Sequence, residues 1–138
     1  MRRFALAPIL ALALAAAGCG GPMTPGELSR SVDTLSSTSA EGALIARDVA
    51  RDRTKATFAR VRARELSETA QHEAEKLADA TPSEGIGGRK AIAVQLAGDI
   101  SNALGDISVH PGDERVNRVA AAKLDMLAGR AERLSKSL

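Results

Sequence analysis

Four stretches of this chain carry apolar residues at alternating steps of three and four. No other feature constrains its fold as tightly. An α-helix turns every 3.6 residues, so such steps align on one face, whereas a strand needs steps of two. The first stretch, about 25–51, aligns Leu28, Val32, Leu35, Ala43, Ala46 and Val49. The second, about 55–80, aligns Ala59, Ala63, Leu66, Ala70, Ala74 and Leu77. The third, about 89–106, aligns Ile92, Leu96, Ile100 and Ala103, with Ile107 one step beyond. The fourth, about 113–136, aligns Val116, Ala120, Leu124, Leu127, Ala131 and Leu134. No run alternates with period two. The pattern predicts an all-α chain, folded as an antiparallel up-down four-helix bundle. A long two-helix hairpin or coiled coil is the other arrangement that this spacing allows.

The boundaries come from local chemistry. Thr24-Pro25-Gly26-Glu27 reads as a helix start: a Thr cap, Pro at the first position and Glu three after the cap. Thr34 to Ser39 is rich in hydroxyl side chains, which compete for backbone groups and predict a kink. Arg51-Asp52-Arg53-Thr54 contains neither Gly nor Pro. Without a break there, one helix would run ~84 Å; a break with Thr54 as cap is expected. Thr81-Pro82-Ser83 stops the second helix. Gly85-Ile86-Gly87-Gly88 extends that loop, and Val109-His110-Pro111-Gly112 forms the last turn.

The N-terminus carries a different signal. Arg2 and Arg3 precede an uncharged stretch from Phe4 to Ala17. That stretch is short of the ~20 apolar residues a membrane span needs, and its three-part pattern is that of a secretory signal. Ala16-Ala17-Gly18-Cys19 resembles the lipobox of bacterial lipoproteins, with Ala16 where Leu is commonest. The resemblance covers only the first 19 residues. It implies cleavage between Gly18 and Cys19, and a diacylglyceryl group on the Cys19 thiol. The expected domains are then a cleaved signal over 1–18, a short anchored tether over 19–24 and a helical bundle over 25–138. The Ala15-x-Ala17 pattern leaves open an ordinary signal peptide cut after Ala17. Gly20 stands where Asp would resemble an inner-membrane retention signal. In a two-membrane cell this favours the outer membrane, on the extracytoplasmic side.

Composition excludes several classes of function. Removal of Arg2 and Arg3 leaves 17 basic residues against 17 acidic ones, so the basic pI implies no nucleic-acid partner. The chain has no Trp or Tyr and only two Phe, which leaves almost nothing for base stacking. Its single cysteine excludes an internal disulfide and any multi-cysteine metal site. The Ala-rich seams bury little area each, and a second copy of the chain would add to it.

No catalytic set emerges. His72 has Glu68 and Glu75 on its own helix face, but that face reads as solvated, and His110 sits in a Pro-Gly turn. Neither histidine has Glu three residues before it, as di-iron bundles require. No Gly-x-Ser-x-Gly elbow occurs. The Gly85–Gly88 stretch lacks a strand before it and a Gly-Lys-Ser/Thr ending, so it reads as a linker. The expectation is no enzyme, no metal and no cofactor. The charge distribution says more. Residues 47–64 are strongly basic and 65–84 strongly acidic, and Lys55 and Arg60 oppose the dipole at the start of the second helix. Arg53, Lys55, Arg60 and Arg62 are therefore candidates for an anionic partner, either an envelope polymer or an acidic protein. The function expected is a lipid-anchored, non-catalytic envelope adapter or structural module. The alternative is a small-molecule or lipid-binding bundle with a pocket among the last three helices.

Overall fold

The structure, a computed structural model, describes residues 20–138. The signal segment and the lipobox residues through Cys19 lie outside the described residues. The helices are α1 (Pro25–Ala50), α2 (Ala56–Asp79), α3 (Gly87–Val109) and α4 (Glu114–Lys136). They form a four-helix bundle, with no strand among the described residues. Cross-helix bonds fix an antiparallel, up-down order. Ser29 meets Ser135 and Ser39 meets Leu124 between α1 and α4, Ser67 meets Ser101 between α2 and α3, and Ser31 meets Lys76 between α1 and α2. The most extensive packing joins α1 to α4 and α2 to α3, and these two pairs then face each other.

Small residues explain that pairing. Along α1, Ser39, Gly42, Ala43 and Ala46 are buried; α4 answers with Ala120, Ala121 and Ala131. Helices lined this way approach closely enough for a hydroxyl on one to reach a backbone carbonyl on the other. Ser39 Oγ donates to the Leu124 carbonyl at 2.7 Å, and Ser36 Oγ to the Ala128 carbonyl at 3.4 Å. Ser67 and Ser101 join α2 to α3 through their hydroxyls at 3.0 Å, and Ser67 Oγ also donates to the Ser101 carbonyl at 3.0 Å. The hydroxyl-rich middle of α1 is thus helical throughout. Thr34 and Ser37 bond back to carbonyls of their own helix, and Ser36 and Ser39 spend theirs on the neighbour.

The helix ends refine the sequence reading. The predicted capping box at Thr24 and Glu27 is present. The break between α1 and α2 is made by neither Gly nor Pro. Asp52 adopts a positive φ of 53°. The Asp52 amide donates to the Val49 carbonyl at 3.1 Å and the Arg53 amide to the Asp48 carbonyl at 2.8 Å. This is a Schellman closure with Asp in the left-handed position usually held by Gly. Lys55, not Thr54, is the N-cap of α2, and no side chain caps it. Gly87 and Gly88 belong to α3 rather than to the loop before it.

The α3 seam also differs from expectation. Ile92 is 46% exposed, whereas Ala93, Ala97 and Leu104 join Leu96, Ile100, Ala103 and Ile107 in the core. Steps of three and four from Leu96 reach either Ala93 or Ile92, and the smaller residue is the buried one. α3 touches α1 across the bundle as well as α2 and α4, so its buried face is wider than a single stripe.

The bundle's middle is closed. A Cβ added at Gly42 would meet Leu104 Cδ2 well inside van der Waals contact and Leu124 Cδ1 at 3.1 Å. At Gly105, a helical position on α3, an added Cβ meets nothing. Gly42→Val should therefore destabilise the fold by about 2 kcal/mol through overpacking, while Gly105→Ala should stabilise it by about 0.5–1 kcal/mol through helix propensity. Urea melts of the two variants check both signs. At Asp52 the same melts should show Val costing about 1–2 kcal/mol, because a β-branched residue resists the left-handed conformation. Gly there should cost nothing.

Candidate functional site

The two ends of the bundle differ in chemistry. At one end lie the start of α1, the α2–α3 loop and the end of α4. Here the segment before α1 does not run free. Met23 is 7% exposed and packs with the core. Its amide donates to the Thr81 carbonyl at 2.7 Å, and its carbonyl accepts from the Ser83 amide at 3.0 Å. These bonds make an isolated parallel bridge between Met23 and Pro82. Ile86, 3% exposed, fills the same end from the loop side. The Lys90 ammonium donates to the Leu77 carbonyl at 2.9 Å, satisfying the C-terminus of α2 where a cation is favoured. A surface groove beside the bridge is lined by Gly20, Met23, Arg30, Lys76 and Asp79.

At the opposite end, the α1–α2 turn faces the α3–α4 turn across a cleft of about 640 Å³. Asp52, Arg53, Thr54 and Lys55 line it from one side, and Glu114 and Asn117 from the other. Asn117 is 1% exposed. Its Nδ2 donates to the Pro111 carbonyl at 3.0 Å and to the Asp113 carbonyl at 2.8 Å, which holds the turn. Its Oδ1 is buried with no partner. Asp113 caps α4 by accepting from the Val116 amide at 2.9 Å.

The four basic candidates do not form one surface. Arg53 and Lys55 share the cleft. Arg60 is exposed on α2. Arg62 stands two residues further on, a rotation of about 200° around the helix. It is engaged there, with Nε on Glu41 at 2.7 Å and a terminal nitrogen on Glu65 at 2.8 Å. Both carboxylates hold its pKa above the ordinary value, led by the hydrogen bond to Glu41. Arg62 is thus a link from α2 to α1 and is withdrawn from any anion site. Leu44 and Phe58, one turn closer to the cleft on the same two faces, are half exposed beside that link.

His72, Glu68 and Glu75 are exposed on α2, and His110 closes α3 at the surface. Among the described residues, no three His, Cys, Asp or Glu side chains converge to hold a metal ion. Also among the described residues, no helix is long and apolar enough to cross a membrane. No family model, curated protein or solved structure matches the chain.

Sequence reasoning missed two residues at these ends. Met23 had a legible signal: it stands at N′ with Leu28 at N4, the spacing of a hydrophobic staple, and both are in the core. Asn117 had none. It is a polar residue on the line Asn117, Ala121, Leu124, which runs one residue beside Val116 and Ala120 of the predicted stripe and joins it at Leu124.

The first end also carries a pH dependence. The Thr24 amide donates to the Glu27 carboxylate at 2.7 Å and the Thr24 hydroxyl at 2.9 Å. These bonds, the backbone one foremost, hold the Glu27 pKa below its usual value. A carboxyl with a lowered folded-state pKa stabilises the fold fully above its unfolded pKa. That contribution is lost as pH falls through the folded value. Thermal melts between neutral pH and about pH 3 should show a shallower acid decline for Glu27→Gln than for the parent.

Proposed function

We propose that this chain is a lipid-anchored, non-catalytic helical-bundle protein of the bacterial cell envelope, serving as an adapter or structural module. Acyl chains on Cys19 hold it to the membrane. Each buried lipid CH₂ contributes ~0.8 kcal/mol, so two or three chains anchor it essentially permanently. The lipobox-like residues Ala16 to Cys19 support the anchor.

The observation that carries the reading of the body is the fixation of Met23. Only Gly20, Gly21 and Pro22 separate Cys19 from a residue held by backbone bonds to the α2–α3 loop. Four residue steps span at most ~14 Å. An anchor on Cys19 therefore keeps the α2–α3 end against the bilayer. The length of α1, 26 residues, then sets the opposite cleft ~39 Å further out. Such a body displays a fixed end rather than roaming on a long linker, which suits an adapter. Gly20 after the cysteine favours the outer membrane where a cell has two.

Cell fractionation and intact mass spectrometry test the proposal together. The native protein should sediment with membranes and begin at Cys19 carrying a thioether-linked diacylglycerol. Cys19→Ser should move it to the soluble fraction with the bundle intact. An unmodified Cys19 thiol in freely washed protein overturns the proposal.

A further inference from the structure

α1 packs chiefly on α4 and α2 on α3, so the side of the bundle that α1 and α2 share is loosely packed. Three large apolar residues stand there more than half exposed: Leu44 on α1, and Phe58 and Val61 one turn apart on α2. Phe58 is the one aromatic residue among residues 20–138. The fold leaves it in water, although an aromatic ring gains more from burial than most side chains. The bond from Arg62 to Glu41 fixes the relative heights of the two helices. Leu44 lies one turn beyond Glu41 and Phe58 one turn before Arg62, so the two share a level.

Around these residues, acids of α1 stand level with bases of α2. Glu41 is level with Arg62. One turn past Leu44 and Phe58, Asp48 is level with Lys55, and neither has an ion pair among the described residues. A two-fold axis parallel to the bundle sets α1 of one copy against α2 of another and changes no level. Leu44 then meets Phe58 and Val61 of the second copy. Glu41 likewise meets its Arg62, and Asp48 its Lys55, each contact occurring twice. This side is therefore its own complement in both apolar surface and charge. Two helices wide and 24 residues tall, it offers on the order of 700 Å², near the ~800 Å² per partner of a standard interface.

The other exposed apolar residues have no such match. Val119 and Met126 share the outer face of α4 with Arg115, Lys123, Arg130 and Arg133, while Glu114, Asp125 and Glu132 are already in ion pairs. Two copies of that face repel each other. Ile92 and Val109 lie near opposite ends of α3 and make no common patch.

We propose that the α1–α2 side is the interface of a two-fold homodimer, with Leu44, Phe58 and Val61 at its centre. The axis leaves both Met23 segments at the same end, as two chains held in one membrane require. The pairing itself does not rest on the anchor, and its test leaves the lipid out.

Sedimentation velocity of the soluble, full-chain Cys19→Ser variant between about 1 and 100 μM tests the proposal. The chain should sediment as a dimer within that range. Phe58→Ser and Leu44→Ser should each weaken the dimer at least about tenfold, and Met126→Ser, on the α4 face, should leave it unchanged. Asp48→Lys should weaken it, and adding Lys55→Asp should restore it, because exchanging the two signs keeps the match. All these variants replace surface side chains, and circular dichroism separates loss of pairing from loss of the fold. A monomer throughout the range overturns the proposal. So does a dimer that Phe58→Ser leaves intact, or one that Asp48→Lys weakens and Lys55→Asp does not repair. A failed anchor would alter the fractionation of the native protein and not this result.

Discussion

Close approach of helix backbones is the constraint on which this bundle depends. A seam of Ser, Gly and Ala offers little apolar area, so large side chains cannot alone hold α1 to α4. The serine hydroxyls compensate by reaching across to carbonyls of the facing helix, as Ser39 does to Leu124. That bond is available only when the backbones are near, and Gly42 is what lets Leu104 and Leu124 enter at the same level. Leucine and isoleucine then fill the space between the two close pairs, from Leu28 and Leu35 on α1 to Ile100 and Leu104 on α3. Two tight, polar-stitched pairs joined by an aliphatic layer thus replace the uniform core of a typical bundle.

Most of this architecture was legible because helical periodicity is a local property. The seams of α2 and α4 were read almost residue by residue, with Ala59 to Leu77 and Ala120 to Leu134 in the predicted faces. What escaped was set by neighbours. Hydroxyls at 34 to 39 look like helix breakers until a second helix offers them carbonyls. Leu96 has two candidate partners one turn back, and only packing against the neighbouring helices selects Ala93 over Ile92. The turn at Asp52 was placed correctly but for want of the right mechanism, since a left-handed Asp leaves a weaker mark in sequence than Gly. The basic cluster was read as a run, whereas a helix distributes a run around its circumference and Glu41 claims Arg62.

The two ends of the molecule divide its chemistry. One is closed by backbone pairing, a capping box and a lysine on carbonyls, so its polar groups are largely satisfied within the chain. The other holds Arg53 and Lys55, which have no ion pair among the described residues, and the buried Asn117 Oδ1 without a partner, while each end has one helix, α3 or α2, that starts without a side-chain cap.

The pairing of Met23 with residues 81–83 also decides how tension travels. A pull on the chain ahead of residue 20 does not begin by unwinding α1. It arrives first at the strand-like contact with the loop, and from there divides between α2 and α3, while the Thr24 cap lies behind the contact and out of the line of force. The bundle would resist as a clamped unit, with the mechanical weak point at two backbone hydrogen bonds and not at the start of its longest helix.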